Sequence, residues 1–239
     1  MKRSNHRRAP WGCGIVLGVA LAGCGGGGGS SAGGTAAPSA VPPLGAGQHG
    51  DGTFYAATGA GSCSYDASPD DLMVAAINRP QYAGSHSCGL CADVTGPRGT
   101  VRVRIVDVCP ECATGDLDLS REAFAAIADP AAGRVPIEWT PAACDVTGPI
   151  ALRFKEGSSQ WWLAVQVRNS RLPILRIELQ TPAGFVELSQ QDYNYALEDG
   201  DPGAGPYTFR ITALGGEQIE ETGMPLRPGE EVAGTQQFH

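Results

Sequence analysis

The sequence predicts a mainly β protein built in two compact halves, and three observations carry the prediction. The run Val101-Arg-Val-Arg-Ile-Val-Asp-Val108 alternates apolar and polar residues, as a half-buried strand does. From residue 150 onward, short apolar runs recur at the spacing of a small β-sandwich. Six cysteines follow Cys24 and all lie before residue 145, which puts a domain boundary near Asp145 to Pro149. The corresponding domains are 48–146 and 147–239.

The amino-terminal end is of another kind. Lys2, Arg3, Arg7 and Arg8 precede a short apolar run, Ile15 to Ala22. A spanning helix needs about 20 apolar residues, so residues 1–23 read as a secretory signal peptide. Leu21-Ala22-Gly23-Cys24 resembles a lipoprotein signal, with cleavage before Cys24 and lipidation of that residue. The competing reading is an ordinary signal peptide with a chance Cys. Gly25 after the Cys, rather than Asp, resembles lipoproteins sent to an outer membrane. Residues 24–47 are almost wholly Gly, Ser, Ala and Pro and read as a flexible tether spanning ~25 Å. The protein is thus expected to be exported, either lipid-anchored at the envelope or surface, or secreted. Removing the four signal cations takes the formal charge from −8 to −12. That balance argues against nucleic acid and acidic polymers such as pectate, and fits a neutral polymer. Solubility alone explains it equally well.

In the first half, Thr95-Gly-Pro-Arg-Gly99 is a turn into the alternating strand. Ser120 caps an expected helix, Arg121 to Ala128, closed by Asp129-Pro130. Ser68-Pro-Asp-Asp71 also resembles a helix start, while Met73 to Ile77 fits a buried strand equally well. The second half reads as strands at Ile150 to Phe154, Leu163 to Val167, Leu175 to Leu179, Phe185 to Leu188 and Tyr207 to Thr212. The last leads through Gly215-Gly216 into Gln218 to Glu221, a hairpin signal.

The six cysteines are Cys63, Cys88, Cys91, Cys109, Cys112 and Cys144. An even number in an exported chain implies disulfides, with fifteen possible pairings. Cys88-x-x-Cys91 and Cys109-x-x-Cys112 lie 17 residues apart, which also matches a zinc ribbon. Export and the two further cysteines favour disulfides, so no metal and no cofactor are expected.

Two groups of residues suggest chemistry. Trp161-Trp162 follows the polar run Lys155 to Gln160, and exposed aromatic faces stack on sugar rings. Neighbouring strand residues point to opposite faces, so both rings reach one surface only at a strand end or bulge. Tyr193 is a third candidate, with core packing as its competing role. Asp107, at a strand end, and Asp118, eleven residues on, are a carboxylate pair suited to a glycosidase. The competing roles are structural: a turn residue for Asp107 and a residue before a helix for Asp118. No Ser-His-Asp arrangement, phosphate loop or His-Glu-x-x-His is present.

Together these segments resemble a known family. Val94-Thr-Gly-Pro-Arg-Gly-Thr-Val-Arg-Val-Arg-Ile-Val-Asp-Val-Cys-Pro-Glu-Cys112, Gly115-Asp-Leu-Asp-Leu-Ser-Arg-Glu-Ala-Phe-Ala-Ala-Ile-Ala128 and Gly133-Arg-Val-Pro-Ile-Glu-Trp139 are similar to bacterial expansins. So are Phe154-Lys-Glu-Gly-Ser-Ser-Gln-Trp-Trp162 and Val165-Gln-Val-Arg-Asn169. The resemblance covers nearly everything from Gly50 onward. It implies a six-stranded double-psi β-barrel, like family-45 endoglucanases, followed by an immunoglobulin-like sandwich with a cellulose-binding face. It assigns Thr53, Asp107 and Asp118 to a groove in the barrel, with Asp118 at the glycosidase general-acid position. Trp161, Trp162 and Tyr193 match a linear aromatic platform and Lys155 a lysine beside it. Likeness to disulfide-bearing relatives implies Cys63–Cys88, Cys91–Cys144 and Cys109–Cys112. The chain departs from some relatives at Cys109, where they carry a groove Tyr; Tyr55 is a possible replacement.

The resemblance implies a monomer that loosens cellulose or another wall β-glucan, or peptidoglycan, without cutting it. It touches membrane only through the lipid and binds no nucleic acid. Inverting hydrolysis needs a second carboxylate to activate water, and after Thr53 no acid occurs until Asp66. Three alternatives stay open. One is an endoglucanase using Asp107 or Asp51 as base. Another is a peptidoglycan lytic transglycosylase of the rare-lipoprotein type. The third is a binding module with no mechanical effect.

Overall fold

The computed structural model describes residues 41–198 and 200–239. The signal segment, Cys24 and most of the tether lie outside them. The expected tether ends too late at Gly47. Val41 is buried against the first core, and the Gly45 N–H donates to the Pro141 carbonyl at 2.9 Å. The apolar Val41 finds a hydrophobic seat there, so the chain is docked before that point.

Six strands close into a barrel: β1 (Gln48–Tyr55), β2 (Val74–Asn78), β3 (Cys91–Gly96), β4 (Gly99–Cys109), β5 (Leu117–Ser120) and β6 (Val135–Ala142). Their order around the wall is β1-β5-β2-β4-β3-β6. β1 runs parallel to β5 and β2 parallel to β4, while the other neighbours are antiparallel. Ile77, Ile105, Leu117, Leu119 and Trp139 fill the interior. Of Met73 to Ile77, all but the exposed Met73 fall in β2, which is buried along its whole length and so lacks the alternation of a half-exposed strand. Ser68 to Asp71 starts no helix. The Ser68 hydroxyl donates to the Asp71 carbonyl at 2.8 Å and the Asp71 N–H returns to the Ser68 carbonyl, closing a local turn instead. Helix α1 (Arg79–Tyr82) is a single capped turn, and α2 (Arg121–Ile127) starts where Ser120 Oγ accepts the Ala123 N–H.

β4 alternates only as far as Ile105. The register against β2 then slips: Ala75 pairs with Ile105 but Ala76 with Asp107. Val106 is the extra residue of a bulge and is buried beside Ile105. The slip places Asp107 directly opposite Ala76.

The second half holds two packed sheets. One, in the order β10-β9-β13-β14, contains β9 (Ile174–Thr181), β10 (Gly184–Glu187), β13 (Tyr207–Ala213) and β14 (Gln218–Met224). The other, in the order β11-β12-β8-β7-β15, contains β7 (Ala151–Phe154), β8 (Leu163–Arg168), β11 (Ser189–Gln190), β12 (Ala196–Glu198) and β15 (Glu231–Ala233). Phe154, Leu163, Val165, Phe209 and Phe238 are fully buried between them. Each such side chain contributes ~1.5–3 kcal/mol by leaving water. Gly215 and Gly216, both at positive φ, make the β13–β14 turn that the sequence marks.

Disulfides join Cys63 to Cys88, Cys91 to Cys144 and Cys109 to Cys112. The four cysteines with zinc-ribbon spacing are therefore all consumed in disulfides. Barrel and sandwich fall within one compact unit.

Candidate functional site

Strand alternation builds the first part of the site. Phe54 packs toward the barrel core, and a Cβ on Gly52 would lie 2.9 Å from the Ile137 side chain. Asp51, Thr53 and Tyr55 therefore share the outer face of β1. Around the wall, Thr53 pairs with Asp118, Asp118 with Ala76, and Ala76 with Asp107. Four adjacent strands thus carry one row across the outside of the barrel. At ~4.8 Å per strand, the backbones of Asp118 and Asp107 are ~10 Å apart.

Thr53 Oγ1 donates to Asp118 Oδ1 at 2.5 Å. Burial raises the proton affinity of the Asp118 carboxyl and Asp107 adds to this; Thr53 and Arg134 oppose it without cancelling it. Asp107 Oδ1 accepts the Ser62 and Val108 N–H groups, each at 2.8 Å. Gly61 passes so close that a Cβ there would lie 2.6 Å from Asp107 Cγ. Asp107 thus clamps a loop 45 residues away in the chain. Asp118 lies within β5 rather than at a helix cap, a task that falls to Ser120. Asp51 Oδ2 accepts from Arg134 at 3.0 Å. The Tyr55 hydroxyl is buried and has no hydrogen-bond partner among the described residues. Burial, then Asp107, then Asp118, hold its proton on well above the usual phenol range. Cys109 is tied to Cys112, and Tyr55 lies within electrostatic reach of both aspartates.

The second part lies on the five-stranded sheet. Ser159 and Trp162 form an isolated bridge around a tight turn at Gln160-Trp161. Trp161 sits in that turn, so strand alternation does not govern it, and it is 64% exposed. Trp162 is half-buried. Asn194 adopts a left-handed conformation (φ 61°), which Asn tolerates, and its N–H closes a turn on the Gln191 carbonyl. That turn leaves Tyr193 37% exposed while Tyr195 is buried. Lys155 Nζ lies 5.5 Å from the Tyr193 ring centre and 5.1 Å from that of Tyr195.

One face of the sheet links the two parts. Leu163, Val165 and Val167 point into the sandwich core, so Trp162, Ala164, Gln166 and Arg168 share the other face. On that face Gln166 Nε2 donates to the Cys63 carbonyl at 2.8 Å and Arg168 to Asp66 at 3.0 Å. The Tyr82 hydroxyl donates to the Asp192 carbonyl at 2.6 Å, next to Tyr193. Trp162 therefore lies on the sheet face that docks the barrel.

The alternation of Asp51, Thr53 and Tyr55 is visible in β1 once its strand is recognised. Arg134 carries no local signal, because it reaches Asp51 only through closure of β1 on β6. Gln166 reads as a strand residue and Arg168 as the residue just after that strand, and neither gives a hint of docking.

A family model described as lytic transglycolase matches residues 74–139, which include Asp107 and Asp118. Expansin-YoaJ of Bacillus subtilis is 34% identical over 172 residues, covering 70% of this chain and 73% of its own. The chain belongs to the expansin family. The crystal structure of apo Clavibacter michiganensis expansin matches with a TM-score of 0.76 and 38% identity, over 81% of this chain and 98% of that one. A mutant of the same expansin, in complex with cellohexaose, matches with a TM-score of 0.76 and 37% identity over the same shares. The barrel and sandwich of this expansin are thus the double-psi barrel and immunoglobulin-like sandwich that the resemblance implies. The expansin family is generally non-catalytic.

Proposed function

We propose that this protein binds cellulose or a related wall β-glucan and loosens it without hydrolysis. Thr53, Asp107 and Asp118 engage one stretch of glucan, and Trp161, Trp162 and Tyr193, with Lys155, hold another. The supporting observation is the shared sheet face: Trp162 follows the same alternation as Gln166 and Arg168, which dock the barrel. The cellohexaose bound by the Clavibacter relative supports the substrate class.

The commitments of the carboxylates support binding over cutting. Inversion needs a base free to activate water ~6.5–9.5 Å from the acid. Asp107 spends Oδ1 on two backbone N–H groups, and Asp51 is paired with Arg134. Asp66, the first acid after Thr53, is turned to Arg168. Asp118 can still donate or accept a hydrogen bond and compete with those between neighbouring chains.

The protein acts as an exported monomer, anchored through lipid on Cys24 where that is retained. The test combines a cellulose pull-down, wall-extension measurements and a reducing-sugar assay. Wild type is expected to bind and extend without releasing sugar, and Asp118→Ala to bind without extending. Sugar release abolished by Asp118→Ala would instead establish an endoglucanase. Preferential capture by peptidoglycan sacculi would change the polymer.

A further inference from the structure

The barrel segment Gly61 to Asp66 touches both parts of the site. At one end, the Ser62 N–H and Gly61 pack on Asp107. At the other, it lies on the sheet face that carries Trp162. Arg168, with a side chain only 10% exposed, grips that end. Its guanidinium donates to Asp66 Oδ2 at 3.0 Å, to the Ser64 carbonyl at 2.8 Å and to Gln166 Oε1. Glu231 lies 3.3 Å away on β15. Arg168 also stacks on Tyr65 at 5.2 Å, and that ring meets Arg104 of the barrel at 5.1 Å. Gln166 fixes the Cys63 carbonyl beside it.

We infer that Arg168 is a positioning residue: it sets the register between the barrel groove and the aromatic strip by holding this segment. The inference rests on the proposed binding of one glucan by both parts. Arg suits the task because its planar fork serves several acceptors at once, which an ammonium cannot do in fixed geometry. Held in register, the second contact with a glucan becomes intramolecular and adds affinity with no new contact. A ligand too short to reach both parts gains nothing.

The test is calorimetric binding of cellotriose and of a soluble mixed-linkage β-glucan polymer to wild type, Arg168→Met, Arg168→Lys and Asp66→Ala. Wild type is expected to prefer the polymer, per binding site. Arg168→Met and Arg168→Lys are expected to keep cellotriose affinity within about twofold and to lose about tenfold or more on the polymer. Asp66→Ala removes one exposed partner, leaves the buried Arg in place, and gives a smaller loss in the same direction. In a background with Trp161, Trp162 and Tyr193 all replaced by alanine, Arg168→Lys should change polymer binding no further, since the strip no longer contributes. A polymer preference kept in full by Arg168→Lys and Asp66→Ala would overturn the inference. A wild type with no polymer preference would instead overturn the shared-glucan reading beneath it.

Discussion

Thr53→Val tests the groove at its best-defined contact. Val keeps the shape of Thr and deletes the hydroxyl that donates to Asp118 Oδ1 at 2.5 Å. A hydrogen bond to a charged group contributes about 1.5–3 kcal/mol, and a neutral one about 0.5–1.5. Asp118 is only half-buried, so water partly replaces the lost donor and the lower end applies, about 1.5 kcal/mol. For a chain of this size that is a fall of about 3–6 °C in melting temperature. The sign with pH follows from Asp118. Burial raises its proton affinity in the fold above that of the unfolded chain. The folded state is therefore favoured at low pH, and that advantage fades as pH climbs from the unfolded value near 3.9 through the raised folded one. Thr53 pulls the other way, so the variant raises the Asp118 pKa further. Calorimetry at pH 7 and pH 3 should show a clear loss at the first and a smaller one at the second. Equal losses at both would refute a bond to the ionised carboxylate, and no loss at either would refute the contact.

Other outcomes follow from the same contacts. Trp161→Ala removes the most exposed ring of the strip and should weaken cellulose binding about tenfold, or about 1.4 kcal/mol, in depletion isotherms. The combined Trp161, Trp162 and Tyr193 alanine variant should fall to background; retained binding would sink the platform assignment. Lys155→Met loses a cation over two Tyr rings and should cost about 0.5–1 kcal/mol of binding, measured the same way, with little change in melting. Glu221 is fully buried and accepts from the Thr235 N–H and hydroxyl and the Gln236 N–H, so Glu221→Ala should cost about 3 kcal/mol or more. Proteolysis should then release the carboxy-terminal segment first.

What the sequence could convey depended on how local the physics was. The strands of the second half are short apolar runs bounded by turns, so Leu163 to Val167 and Tyr207 to Thr212 are legible as strands. Ser120 capped its helix within three residues, and that too was legible. Val74 to Asn78 was not, because a strand buried on both faces loses its alternation. The row Thr53–Asp118–Asp107 depends on β1 pairing with a strand 65 residues away and on a bulge at Val106. Neither feature has a local signature: the two aspartates pair in the sequence only as candidate carboxylates, and Thr53 joins them only through resemblance. The Trp pair looked geometrically awkward until the turn at Gln160-Trp161 released Trp161 from strand alternation.

The commitments of the groove carboxylates bear on mechanism as a set. Cutting needs an acid, a base and a water held between them, with the base free to move a proton. Loosening needs only that two distant patches hold one polymer in fixed register while hydrogen bonds exchange at one of them. Asp107, which spans about the right distance from Asp118 to serve as a base, is instead tied to the Gly61 to Asp66 segment that meets the sandwich. Freeing Asp107 for proton transfer would slacken the contact that joins groove and strip. The same carboxylate cannot easily serve both ends, and its two backbone hydrogen bonds place it on the side of register.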